Sequence, residues 1–174
     1  LTMTLYQSPT VSEASTMAVT PHLLSVDQLS VEFRTRTGDV RALEAVSFDI
    51  KPGETIGIVG ESGSGKSVTA FTLMGVLDRA GKVTSGKAIF QTDRVAVDLL
   101  KEPESSLRQL RGKELSMIFQ NPRTALNPIR KVGKQITDVL RCHTDLAGDA
   151  LRTRAIEMLA SVRIPDPDQR FEAY

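Results

Sequence analysis

The segment Gly60-Glu61-Ser62-Gly63-Ser64-Gly65-Lys66-Ser67 constrains the fold more than any other part of this chain. Its spacing, Gly-x-x-x-x-Gly-Lys-Ser, requires a strand before it and a helix after it, because the loop is a tight reversal between the two. The sequence offers both. "TIGIVG" at 55–60 is a short apolar run of the kind buried in parallel sheets. From Ser67 onward, Ala70, Phe71, Leu73, Met74 and Leu77 form a broad apolar helical face, with Gly81 as the expected stop. The glycines let successive main-chain N–H groups curl inward, and the helix start adds the positive end of its dipole. Lys66 brings an ammonium that can reach β- and γ-phosphates, and Ser67 a hydroxyl suited to Mg²⁺. The segment therefore predicts a nucleotide site built from Gly60, Glu61, Ser62, Gly63, Ser64, Gly65, Lys66 and Ser67. Glu61 and Ser62 occupy variable loop positions, and Glu61 is given no catalytic role.

A chain of 174 residues is long enough for a real core. With 22 basic against 21 acidic residues, charge supplies no argument for a nucleic-acid partner. Cys142, the single cysteine, cannot pair internally; it fits a reducing compartment and is expected as a small buried apolar residue. His22 and His143 have no zinc-like spacing around it. No apolar run approaches the roughly 18 residues of a spanning helix. Residues 1–22 are rich in Ser and Thr and lack a secretory signal's basic start and apolar stretch, so they are expected to be a disordered leader.

Order is expected from Leu23. Leu29, Val31 and Phe33 alternate with polar residues, as do Val46, Phe48 and Ile50, and "RTGD" between them supplies a turn. An antiparallel N-terminal pair follows, with "KPGE" at 51–54 as a second turn. "SGKAIF", "RVAVDLL" and "LSMIF" (115–119) are expected strands, and "PESSLRQLRGKE" a short polar helix whose basic residues from Arg108 to Lys113 form a solvated face. Two amphipathic helices come next, one carrying Val132, Ile136, Val139 and Leu140, the other Leu151, Ala155, Met158, Leu159 and Val162. "RIPDPDQRFEAY" is expected to break the second. Asp98, at the end of "VAVD", is followed by no Glu and is expected at a strand edge rather than on a metal.

"VRALEAVSFDIKPGETIGIVGESGSGKSVTAFTLMGVL" resembles the opening of an ABC transporter ATP-binding subunit, and "SMIFQNPRTALNPIRKVGKQI" resembles the subfamily serving oligopeptide, dipeptide and nickel importers. The resemblance runs from about Leu23 to Tyr174 and implies an α/β P-loop NTPase nucleotide-binding domain of ABC type with an N-terminal antiparallel β subdomain. It implies that Gln120 contacts Mg²⁺ and senses the γ-phosphate, so that Ser67 and Gln120 are the metal candidates and Lys66 and Gln120 the catalytic ones. It implies that Phe33 stands where an aromatic stacks on adenine, although the family usually has Tyr there and Phe33 also completes an apolar alternation.

The resemblance also implies that 23–174 is the N-terminal part of such a domain, truncated before the signature, Walker B and switch His regions. A chain of that extent is expected to hold ATP and Mg²⁺ without useful hydrolysis, and to leave apolar strands unpaired. The implied partners are a second ATP-binding subunit and two transmembrane permeases contacted near the Gln120 loop. An extracytoplasmic solute-binding protein would act indirectly, no nucleic acid is expected, and the place is the cytoplasmic face of the membrane, peripherally. A non-catalytic nucleotide-binding fragment and an ABC-type ATPase outside transport are the alternatives. The cargo and the identity of the paired ATPase stay open.

Overall fold

The computed structural model describes residues 22–121 and 125–174, so the expected leader, apart from His22, lies outside the described residues, as do three residues of the loop after Gln120. The chain divides into two compact units, the first ending at Met117 and the second running Ile118–Tyr174.

The first unit is organised by one long antiparallel sheet. β1 (Leu24–Thr35) and β2 (Gly38–Ile50) form the expected hairpin, closing at Thr35 opposite Gly38. β3 (Gly81–Gln91) pairs with the other edge of β1, and the short β4 (Ala96–Asp98) adds to β3, giving the order β2-β1-β3-β4. β1 is thus central, and its Leu24, Val26, Leu29 and Val31, with a register shift between Val26 and Leu29, are deeply buried. α1 (Lys66–Leu73) supplies Leu73 and, just beyond it, Met74 to this core, and α2 (Glu104–Leu110) supplies Leu107.

Four expectations change here. "TIGIVG" and "LSMIF" are apolar but form no ladder among the described residues, and Ile58, Val59, Ile118 and Phe119 are exposed. A strand exists only through its neighbours' N–H and C=O groups, and none of the described strands pairs with these runs. α1 stops at Leu73, not near Leu77. Gly75, with φ +63°, ends it through two reversed bonds, Val76 N–H to the Phe71 carbonyl (2.9 Å) and Gly75 N–H to the Thr72 carbonyl (3.0 Å). Gly81 instead opens β3.

The second unit is three helices: α3 (Val132–His143), α4 (Asp149–Ser161) and α5 (Pro167–Glu172). Leu140, Leu151, Ala155, Leu159 and Phe171 form its core, while Val139, Met158 and Val162 of the expected apolar faces are exposed. "RIPDPDQRFEAY" follows the end of α4 at Ser161, as expected, but it also holds a third, unexpected helix: Pro167 takes the first helical position, where its missing N–H costs nothing. Cys142 is exposed, against expectation, because it lies on the face of α3 away from Leu140 and Thr137.

Phe171 joins the three helices. A Cβ on Gly133 would land on its ring, and the Arg152 guanidinium lies over it at 4.5 Å from the centroid. Glu172, the next residue, accepts bonds from Lys131 Nζ (2.9 Å) and Arg152 Nη1 (2.6 Å). Gly133→Ala is expected to destabilise this unit by about 1–3 kcal/mol through overpacking, read by denaturant unfolding followed in the helical signal. The Lys131 and Arg152 bonds hold the Glu172 carboxyl below its ordinary value. Its contribution is therefore present above the unfolded carboxyl's pKa and is lost as pH falls through the lower folded value. Glu172→Gln should flatten the acid limb of the unit's pH–stability curve, measured by thermal melts between pH 3 and 6.

Candidate functional site

The loop at 60–67 is held between β2 and the first turn of α1. Gly65 is the N-cap residue of α1, in the left-handed region at φ +89°. A Cβ there would meet Leu43 Cδ2 at 2.5 Å and the Ala42 carbonyl at 2.8 Å, so both its conformation and its closeness to β2 require glycine. Leu43 is itself buried, which fixes β2 against the loop. Having no side chain, Gly65 cannot cap the helix, and the first-turn N–H groups have no intrahelical acceptor. The helix start is thus left with donors and a partial positive charge, the arrangement suited to an anion.

Lys66 spends its three ammonium protons on the loop itself. Nζ donates to the Gly60 carbonyl (2.8 Å), the Glu61 carbonyl (2.6 Å) and Ser64 Oγ (3.0 Å). Ser64 N–H donates to the Glu61 carbonyl at 3.2 Å, closing a turn across the loop. A Cβ on Gly60 would stand 2.6 Å from Ser64 Oγ. Behind the loop, Thr69 donates both its N–H (2.8 Å) and its hydroxyl (3.1 Å) to the Gly65 carbonyl, locking the first turn of the helix. A cleft of about 460 Å³ opens beside Ser64 and Lys66, walled by Val46, Phe48, Ile56 and Val59.

The other candidates are placed separately. Phe33 ends the buried run of β1, opposite Val40 and Gly81, and packs on the first unit's core; its Cε1 would be 2.9 Å from a Cβ on Gly81. Gln120 belongs to the second unit and is exposed. Asp98 ends the edge strand β4 and is used locally. It accepts from Lys101 Nζ (3.0 Å) and, more weakly, from the N–H groups of Ala88 and Leu100 (3.3 Å each). Burial pushes its pKa up, but the bonds from Lys101 and the two amides outweigh this and leave it below the usual carboxylate value. Among the described residues no group of three or more His, Cys, Asp or Glu side chains could hold a metal, and no helix is long and apolar enough to cross a membrane.

Arg111 is a residue that sequence reasoning assigned to a solvated face. It is half-buried, and its guanidinium reaches the far end of α1. Nε donates to the Met74 carbonyl (2.7 Å) and Nη2 to the Gly75 carbonyl (2.9 Å), while Glu104 accepts from Nη1 (2.8 Å) and Nη2 (3.1 Å). The sequence signal was Gly75, which marks where α1 ends; nothing local links it to a side chain 36 positions away.

A family profile described as ABC transporter matches residues 43–173. A Brucella abortus (strain 2308) protein, provisionally named a peptide import ATP-binding protein, is 45% identical over 155 residues, covering 89% of this chain and 46% of its own. The oligopeptide transport ATP-binding protein OppD of Salmonella typhimurium is 42% identical over 166 residues, 94% of this chain and 48% of its own. Among solved structures, the ATP-binding cassette MJ0796, in a dimeric post-hydrolysis state with ADP and Pi, superposes with a TM-score of 0.67. It is 22% identical, over 87% of this chain and 60% of that one. The fold is that of an ABC ATPase cassette, and the chain spans about half the length of the curated relatives it matches.

Gly65→Ala is expected to disturb the loop without unfolding the sheet. It should lower the melting temperature modestly and broaden or shift the amide NMR signals of 60–69, with those of β1 and β3 unchanged.

Proposed function

The chain belongs to the ABC transporter family, and on that premise we propose that its loop at 60–67 binds the phosphates of ATP. The complete protein would be the ATP-binding subunit of an importer of peptides or similar small solutes. The observation that carries this reading is the Lys66 ammonium held over the loop by two carbonyls and a hydroxyl, beside the uncapped start of α1. An ammonium so placed needs only to exchange these acceptors for phosphate oxygens, while the first-turn amides stay fixed by Thr69 behind them.

The donor set also fits Mg²⁺. That ion takes oxygen ligands, keeps several waters and is commonly completed by substrate phosphates, which suits the Ser67 hydroxyl; the Gln120 amide oxygen is assigned as a further ligand in the complete protein. Bound there, it would neutralise charge on the phosphates. Phe33 is proposed as the face against adenine, its partial burial leaving part of the ring available.

Names given to the relatives support import of peptides as the use of the energy. We assign to the complete protein a second ATP-binding subunit, two permeases meeting the region around Gln120, a solute-binding protein acting through them, and a peripheral place on the cytoplasmic face of the membrane. Hydrolysis belongs to that assembly, with Lys66 and Gln120 as this chain's contribution.

Titration calorimetry with Mg-ATP tests the reading. Lys66→Ala removes charge-assisted hydrogen bonds and should weaken binding by about ten- to a hundredfold. Equal affinity in the variant and the parent chain would remove the loop from the nucleotide site.

A further inference from the structure

The geometry points to Arg111 as a positioning residue for phosphate binding: it ties down the far end of the helix whose start forms the cradle. This rests on the reading of 60–67 as a phosphate site.

The helix in question is short. α1 has eight residues, below the length at which an isolated helix is stable in water. Its stability, and hence the fixed aim of its first-turn amides, must come from contacts at its sides and ends. The side contacts are Ala70, Leu73 and the adjoining Met74 in the core. At its start nothing from Gly65 caps it. Its far end is where the chain has concentrated bonding. Val76 and Gly75 satisfy the carbonyls of Phe71 and Thr72, and Arg111 takes the carbonyls of Met74 and Gly75 just past the last helical residue. A guanidinium suits this place in two ways. Its fixed fork can serve two carbonyls and a carboxylate together, and its charge faces the negative end of the helix dipole.

Two further features aim this arginine. Glu104 accepts two bonds from the opposite side, and the Arg111 bonds in turn hold the Glu104 carboxyl below its ordinary value. Gly75 leaves room: a Cβ there would stand 2.7 Å from Arg111 Nη2 and 2.7 Å from Leu107 Cδ1. At φ +63° an L side chain would be strained as well. The same glycine therefore ends the helix and admits the group that holds the end.

Arg111 touches no residue of the loop, so its effect is on how often the first-turn amides are correctly aimed. Losing it should raise the fraying of α1 and lower affinity for any polyphosphate alike, whatever base it carries. The experiment measures Mg-ATP and inorganic triphosphate affinities by calorimetry for the parent chain, Arg111→Met, Arg111→Lys and Gly75→Ala. Amide hydrogen exchange is followed at 65–76, and all measurements are made well below each variant's melting temperature. Expected are losses of about three- to tenfold for Arg111→Met and Gly75→Ala with both ligands. Arg111→Lys should recover part of the loss, and exchange should quicken at 65–76 but not in β1. Unchanged affinities in Arg111→Met overturn the inference even if its melting temperature falls, since a purely structural role would do only that. Loss of Mg-ATP but not of triphosphate binding overturns it too. A parent chain that binds neither ligand refutes the phosphate site itself, and the positioning role with it.

Discussion

The approach of β2 to Gly65 is the contact on which the site depends. One missing Cβ lets Ala42 and Leu43 lie against the loop, and Leu43 is at the same time part of the sheet's core. The sheet therefore fixes where the loop turns, and the loop fixes where α1 begins. Any larger residue would have to push the sheet and the helix apart by the width of a methyl group, at a point where Leu43 is only 4% exposed. Core and site are built by the same atoms here, which is why a surface loop can aim its amides without a capping side chain.

What the sequence made legible were the features with local causes. The β1–β2 hairpin followed from period-two alternation and a turn, and the loop at 60–67 from its spacing. α2, α3 and α4 followed from helical periodicity. The failures have a common physical origin: they concern partners. Apolar composition at 55–60 and 115–119 announces burial but cannot say against what: Ile56, Leu115 and Met117 do reach the first unit's core, yet apart from an isolated bridge between Arg111 and Leu115 neither run is part of a ladder among the described residues. Arg111 looked solvated because its acceptors, the Met74 and Gly75 carbonyls, are distant in sequence. α5 escapes the sequence because the prolines that end α4's run hide that Pro167 also starts a new helix. Cys142 was placed inside from its chemical type alone, when the face of α3 it occupies decides the matter.

The second unit shows a different economy of means. Its core is small, five buried apolar residues among those described with Val132, Ile136, Ile156 and Ile164 packed against them, and much of the definition comes from charged side chains arranged about Phe171 and Glu172. Lys131, Arg152 and Asp168 all converge there, with Arg152 shared between the ring, Glu172 and Asp168. Exposed ion pairs contribute little one at a time, but a shared arginine on an aromatic face selects one arrangement of three short helices among several that apolar packing would tolerate.

The three acceptors that Lys66 holds within its own loop set a threshold for whatever would replace them. A ligand must present enough oxygens, in the right compass, to compensate for two carbonyls and a hydroxyl given up together. A small monovalent anion brushing the helix start offers too few, whereas a chain of linked phosphates can engage the amides and the ammonium at once. With 60–67 read as a phosphate site, the lysine's own tether would work as a filter, turning an all-purpose anion attractor into a discriminator of charge density and reach.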